Sequence, residues 1–256
     1  MKKILAIIFL LFIAISAQAG VVGKPVHYTH EGTALEGYLA YDDSVKGKRP
    51  GVLVVHEWWG LNDYVRSRVD KLARLGYVAF ALDMYGKGIW TTKPAEAKEL
   101  SGHLRGTPLL RTRAQAGLDI LRKNSQVDPA KIAAIGYCFG GTTVLELAYS
   151  GADVAGVVTF HGGLTAAKPE DASRIKARFL ICHGANDGFI PAAAIQAFQE
   201  GLNKAGSDWQ MIYFSGAVHS FTNPDADKVG IKGIAYNKQA DERSWMYMQQ
   251  FLKEIL

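Results

Sequence analysis

The chain has 256 residues, is 48% hydrophobic and carries a formal net charge of +5. That length and apolar content suit one domain with a large core. A mild positive excess without a run of basic residues gives no support to nucleic-acid binding.

The first residues read as a targeting segment. Lys2 and Lys3 precede an unbroken apolar run over 4–15, followed by the small-x-small triplet Ala17-Gln18-Ala19. This is the layout of a secretory signal peptide, and the run is shorter than the about 20 residues that span a bilayer. Cleavage after Ala19 is expected. It would leave residues 20–256 as a single domain with a net charge of +3, periplasmic or secreted, with no membrane span.

The rest alternates strand and helix. Residues 27–41 predict the start of an antiparallel hairpin, with Glu31-Gly32 near its turn. The run Gly51-Val52-Leu53-Val54-Val55-His56 predicts a central strand covered on both faces. Asn62 is placed to cap a helix with Val65, Val69 and Leu72 on its apolar face, and Gly76 to end it. Residues 77–82 read as a strand, 84–106 as an irregular segment and candidate lid, and 107–123 as a helix. A short apolar run at 131–135 leads into Gly136-Tyr137-Cys138-Phe139-Gly140-Gly141, and 142–148 read as a helix. Strands are expected at 154–160, at 179–182 and at 210–214. Ile195, Phe198 and Leu202 mark one further helix, and Trp245, Met248, Leu252 and Ile255 a C-terminal one. Repeated βα units imply a mainly parallel sheet with helices on both faces.

Strand, glycine-flanked turn and helix around Cys138 make a nucleophile elbow. A side chain two residues to either side of the nucleophile would collide with a neighbouring strand or helix. The same six residues would also serve as a tight turn with a buried cysteine, so the other strand ends matter. In such sheets ligands bind at the carboxyl ends of the strands. Asp187 follows the strand at 179–182, and His219 follows the last strand. Nucleophile, acid, histidine is the chain order of α/β-hydrolases. Alone, Asp187 reads as a turn residue in Asn186-Asp187-Gly188 and His219 as a surface histidine. His56 and His183, also at strand ends, are expected to be structural. The spacing of His56, Glu57, His183 and His219 matches no metal-ligand motif, and no cofactor is expected. The only two cysteines, Cys138 and Cys182, lie on strands separated by another, about 10 Å apart if the three are neighbours. That is too far for a disulfide, so two free thiols are expected.

These residues resemble the dienelactone hydrolase family of α/β-hydrolases. The resemblance runs from about Lys24 to the C-terminal helix. It rests on Gly136–Gly141, the His56-Glu57 pair, Gly184 through Pro191 and Gly216 through Phe221. It implies an α/β-hydrolase fold and a Cys138-His219-Asp187 triad, with Glu57 beside the cysteine helping to form the thiolate. The alternative for Glu57 is a buried carboxylate paired with an arginine. Such a triad would open small esters or lactones through a thioester, its oxyanion held by the backbone N–H groups of Phe139 and Trp58. Trp58, Trp59 and Tyr85 are candidates to line the pocket, or else packing residues on its rim. Members that hydrolyse dienelactone are expected to grip its carboxylate with arginines, one shortly after the catalytic histidine. Asn223 stands there and lacks a charged fork; Arg105, in the lid, is the candidate substitute. Other small esters or lactones are therefore at least as expected. Two other readings are a general carboxylesterase or thioesterase without lactone preference and a non-catalytic ligand-binding protein on a hydrolase fold. A thiol redox protein would want a Cys-x-x-Cys pair, which is absent. The expected partner is a small-molecule substrate, and the expected state a monomer.

Overall fold

The computed structural model of the protein describes residues 20–256; the expected signal peptide at 1–19 lies outside them. Two antiparallel strands come first, β1 (Val21–His30) and β2 (Thr33–Asp42). Their turn residues Glu31 and Gly32 have φ of 48° and 74°, the left-handed geometry that suits the twist of a two-residue hairpin. Strands and helices then alternate: β3 (Arg49–Val55), α1 (Asp63–Arg74), β4 (Val78–Leu82), α2 (Pro94–Gly102), α3 (Pro108–Arg122), β5 (Val127–Tyr137), α4 (Phe139–Tyr149), β6 (Gly156–Phe160), α5 (Pro169–Ala172), β7 (Arg178–Gly184), α6 (Ala192–Lys204), β8 (Trp209–Phe214) and α7 (Lys238–Ile255).

The eight strands form one sheet in the order β1-β2-β4-β3-β5-β6-β7-β8. β2 joins β4 antiparallel, and every pairing from β4 to β8 is parallel. This is the α/β-hydrolase architecture. Successive side chains on a strand point to opposite faces, which explains the unbroken apolar run of β3. Leu53 and Val55 pack into the core that holds Leu118 of α3, Val144 of α4 and Phe198 of α6. Val52 and Val54 pack into the other, with Val69 of α1 and Met248 of α7. Asn62 caps α1, its side chain accepting the Val65 N–H at 3.3 Å.

Two segments differ from their sequence reading. The lid segment holds a regular helix, α2, opened by Pro94, whose missing N–H costs nothing in a first turn. β5 starts at Val127, well before the apolar run at 131–135. Its stretch from Pro129 to Lys131 is exposed and carries no large apolar side chain, so hydrophobicity could not mark it. Cys138 and Cys182 are both free, with β6 between their strands. Among the described residues no helix is long and apolar enough to cross a membrane.

α1 and α7 are tied by a buried ion pair, Arg68 to Asp241 at 2.7 Å. The Arg68 guanidinium also donates to the Thr222 carbonyl and lies against the rings of Tyr64, Tyr137 and Trp245. Removing one partner leaves a buried charge uncompensated. Asp241→Ala is expected to cost about 3–5 kcal/mol of unfolding free energy, read by urea denaturation. A cost near zero would mean that water reaches Arg68.

Candidate active site

Cys138 alone makes the turn between β5 and α4, with φ 52° and ψ −111°. Non-glycine residues rarely adopt positive φ, and such strain persists only where the surroundings enforce it. Here the Cys138 N–H donates to the Phe160 carbonyl at 3.0 Å. The flanking glycines remove the obstacles. A Cβ on Gly136 would lie 2.0 Å from the Gly140 carbonyl oxygen, and one on Gly140 would lie 2.2 Å from that of Val55. These are the collisions with helix and strand that the sequence pattern implied.

The structure brings Asp187 and His219 to this turn. His219 Nε2 lies 3.1 Å from Cys138 Sγ, and its Nδ1 lies 2.8 Å from Asp187 Oδ2. The other Asp187 oxygen accepts the Phe189 N–H at 3.0 Å, so Asp187 is a turn residue and an imidazole partner at once. Because Asp187 is acceptor-only, it holds the His219 proton on Nδ1 and leaves Nε2 facing the sulfur. The loop carrying His219 is pinned on both sides: its N–H donates to Gly233, and its carbonyl accepts from Ala235. Burial alone would push His219 down. The Cys138 sulfur and the Asp187 carboxylate outweigh it and raise the imidazole to about 10.

Glu57 is 2% exposed. Its Oε2 accepts from Asn223 Nδ2 at 2.6 Å, and its Oε1 has no partner. Burial pushes this carboxyl up, opposed by the Asn223 hydrogen bond and by His219. The partner is thus an amide, where the sequence reading offered an arginine. Asn223 faces Glu57 and does not line the cavity at Cys138. His56 Nδ1–H donates to the Glu57 carbonyl at 2.5 Å, and its Nε2 accepts from the Met84 N–H at 3.2 Å. Burial pushes this imidazole down, as suits a structural histidine.

A cavity of about 290 Å³ opens over Cys138 and His219. Trp58, Phe189, Ile190 and Ile234 make it apolar, and Arg105 supplies its fixed positive charge. The Arg105 guanidinium sits over the Phe139 ring, 5.2 Å from its centroid. Of the other expected pocket residues, Trp59 and Tyr85 are corrected by the fold. Trp59 turns into a separate cavity of about 440 Å³, which it shares with Tyr64, Trp90 and Asn223. Tyr85 is buried beneath the loop after β3, its hydroxyl donating to the Trp58 carbonyl at 2.9 Å; it supports Trp58 from behind. Sequence reasoning missed Phe189, Ile190 and Ile234, which sit on irregular segments without a periodic signal. It also missed His161, which directly follows β6 and stands against His219 with ring centroids 5.4 Å apart. Inspecting the end of β6 as the other strand ends were inspected would have found it. Among the described residues no group of three or more His, Cys, Asp or Glu could hold a metal ion.

Known proteins resemble this chain over most of its length. A family model described as the dienelactone hydrolase family matches residues 35–256. A solved dienelactone hydrolase-like promiscuous phosphotriesterase from metagenomic libraries is 40% identical, covering 92% of this chain and 99% of its own, with a TM-score of 0.89. A second solved structure, named m3DLH, is 41% identical, covering 93% and 99%, with a TM-score of 0.90. Protein usf of Aquifex pyrophilus is 28% identical over 92% of this chain and all of its own length.

Proposed function

The chain belongs to the dienelactone hydrolase family and is an ester hydrolase, and on that premise we propose that it cleaves small esters or lactones through a Cys138-His219-Asp187 triad. The observation that carries this reading is the unbroken chain from Asp187 Oδ2 through the His219 ring to Cys138 Sγ, at the floor of a cavity. The thiol proton passes to His219 Nε2 before acylation, and Sγ attacks the acyl carbon as the thiolate. That proton then goes to the departing alkoxide, leaving a thioester on Cys138. Water attacks the thioester, gives its proton to His219 and releases the acid as the thiol reforms.

The oxyanion is assigned to the Phe139 N–H, at the positive end of α4, and to the Trp58 N–H. The Tyr85 hydroxyl, donating to the Trp58 carbonyl at 2.9 Å, supports this reading by holding the Trp58 backbone. Glu57 stands as a buried carboxyl that assists thiolate formation. Arg105 is the candidate contact for a negatively charged acyl portion, and the apolar walls suit small hydrophobic groups. Residues 1–19 are proposed to be an export leader and 20–256 the catalytic domain, acting as a monomer in the periplasm or outside the cell. The intact mass of exported protein and its light scattering test both statements.

The test is a panel of aryl esters, small lactones and one phosphotriester, assayed with and without prior thiol blocking. Ester or lactone cleavage that is lost on blocking supports the reading. A phosphotriester is included because the 40%-identical relative is named for that activity. Activity confined to the phosphotriester, or unaffected by thiol blocking, would overturn it.

The His219 pKa sets a pH limit. An imidazole raised to about 10 keeps the proton it must hand to the leaving group until the pH climbs through that value. After correction for spontaneous hydrolysis, kcat/KM should hold to about pH 10 and then fall. An alkaline limb near that of a free imidazole, about 6.5, would rule out the thiolate–imidazolium pair.

A further inference from the structure

His219 is not the only histidine at the site. His161 follows β6 with φ 41°, is fully buried, and donates its backbone N–H to the Cys182 carbonyl at 2.9 Å. Its ring meets those of His219 (5.4 Å, 64°) and Phe221 (5.2 Å, 80°) edge to face. Phe189 packs on His219 at 5.4 Å as well, so the His219 imidazole is held between two uncharged rings.

One hydrogen-bonded chain runs from His161 to α1. His161 Nε2 lies 2.7 Å from Thr222 Oγ1, and that oxygen lies 2.6 Å from the Tyr64 hydroxyl of α1. The Thr222 carbonyl accepts from Arg68, which pairs with Asp241 of α7. Thr222 stands three residues after His219, and Ser220 between them has φ 58°. The segment from 219 to 223 is therefore a strained loop held by groups from α1, α7 and the end of β6. His161 Nδ1 has no partner. An empty acceptor is cheaper to bury than an empty donor, so the ring carries its proton on Nε2 and donates it to Thr222.

We propose that His161 is a positioning residue for the catalytic histidine: its imidazole anchors the 219–223 loop through Thr222 and packs against the His219 ring, holding Nε2 in line with Cys138. This rests on the triad reading above. The charged and titratable groups facing His161 explain its neutrality. Burial pushes its pKa well down, and His219, Arg68 and His183 push the same way. Tyr137, whose ring lies 6.2 Å from that of His161, and Tyr64, which shares Thr222 Oγ1 with it, are both pushed up by burial and stay uncharged. A second positive charge here would repel the imidazolium that forms on His219.

The test pairs a ring without a hydrogen bond against a chain that keeps one. His161→Phe and Thr222→Val break the anchor, whereas His161→Gln keeps a donor for Thr222 and Thr222→Ser keeps the hydroxyl. Steady-state kinetics on an aryl ester should show kcat about tenfold lower in the first pair, as for loss of one buried hydrogen bond, with KM within about twofold. His161→Gln and Thr222→Ser should recover most of that loss. Alkylation of Cys138 at neutral pH, followed by mass, reads the imidazole–sulfur contact without substrate and should slow in parallel. Wild-type kcat in both broken variants, a loss in KM alone, or glutamine as slow as phenylalanine would overturn the proposal. If His161→Phe does not fold, the Val and Ser variants at 222 decide alone. Failure of the triad reading is seen separately, as activity that survives His219→Ala.

Discussion

Cys138→Ala should lower kcat on any ester substrate by a factor of about 1,000 or more, with KM little changed, because triad members act as a unit and only the oxyanion donors and binding remain. His219→Ala should do nearly the same, since without Nε2 at 3.1 Å the sulfur has no proton acceptor. The double variant should be no worse than the worse single one, a non-additivity expected of groups in one proton-transfer chain. Cys138→Ser is the informative intermediate. It keeps a nucleophilic atom and the hydrogen bond, but a hydroxyl is far harder to ionise than a thiol. It should therefore fall well below wild type while remaining measurable. A substrate burst followed by mass analysis should place the acyl group on Cys138, because Cys182 is fully buried and its thiol is pushed up by that burial. Full activity in Cys138→Ala would remove the thioester mechanism altogether.

Gly140→Ala should be strongly damaging. The added methyl would lie 2.2 Å from the Val55 carbonyl oxygen and 2.6 Å from that of His56. Both atoms belong to backbone in or just beyond a central strand, so neither can rotate aside. Overpacking of this kind costs typically 1–3 kcal/mol and more where the neighbours are rigid; we expect about 3 kcal/mol or more, seen as a lowered denaturation midpoint or as insoluble protein. Whatever folds should have lost the Cys138 geometry, because α4 would have to move away from β3. Gly102→Ala is the control. Nothing lies within 4 Å of its added methyl, its φ is not positive, and it ends an exposed helix. That substitution should be neutral or slightly stabilising. Equal effects from the two would mean that the elbow tolerates displacement.

The opposite response of these two glycines shows what was legible in the chain. Gly140 could be singled out without a structure because the elbow is a local device: strand, turn and helix are contiguous, and their steric demand is written over six residues. The strands at 51–56, 77–82 and 154–160 were legible because a parallel strand covered on both faces must be apolar at every position. Asp187 and His219 were legible because the chain order of an α/β sheet places them at successive strand ends on one edge.

The partner of Glu57, and the cavity walls made by Phe189, Ile190 and Ile234, were not legible. Asn223 was read as a missing arginine and as a limit on substrate choice, whereas the fold turns it to Glu57 at 2.6 Å. Trp59 and Tyr85 were candidate pocket residues by proximity in sequence. The backbone path after β3 sends Trp59 to a neighbouring cavity, and Tyr85 goes under Trp58. Ile234 reaches the cavity from an irregular loop bridged to His219, and the Arg68–Asp241 pair joins residues 173 positions apart. By itself, then, the sequence determined the sheet, the elbow and the order of Cys138, Asp187 and His219 at the strand ends, because those follow from periodicity, glycine placement and strand ends. Only the tertiary structure decided which side chains meet around them. That depends on the direction in which each loop leaves its strand and on contacts between segments far apart in the chain, and neither leaves a local trace.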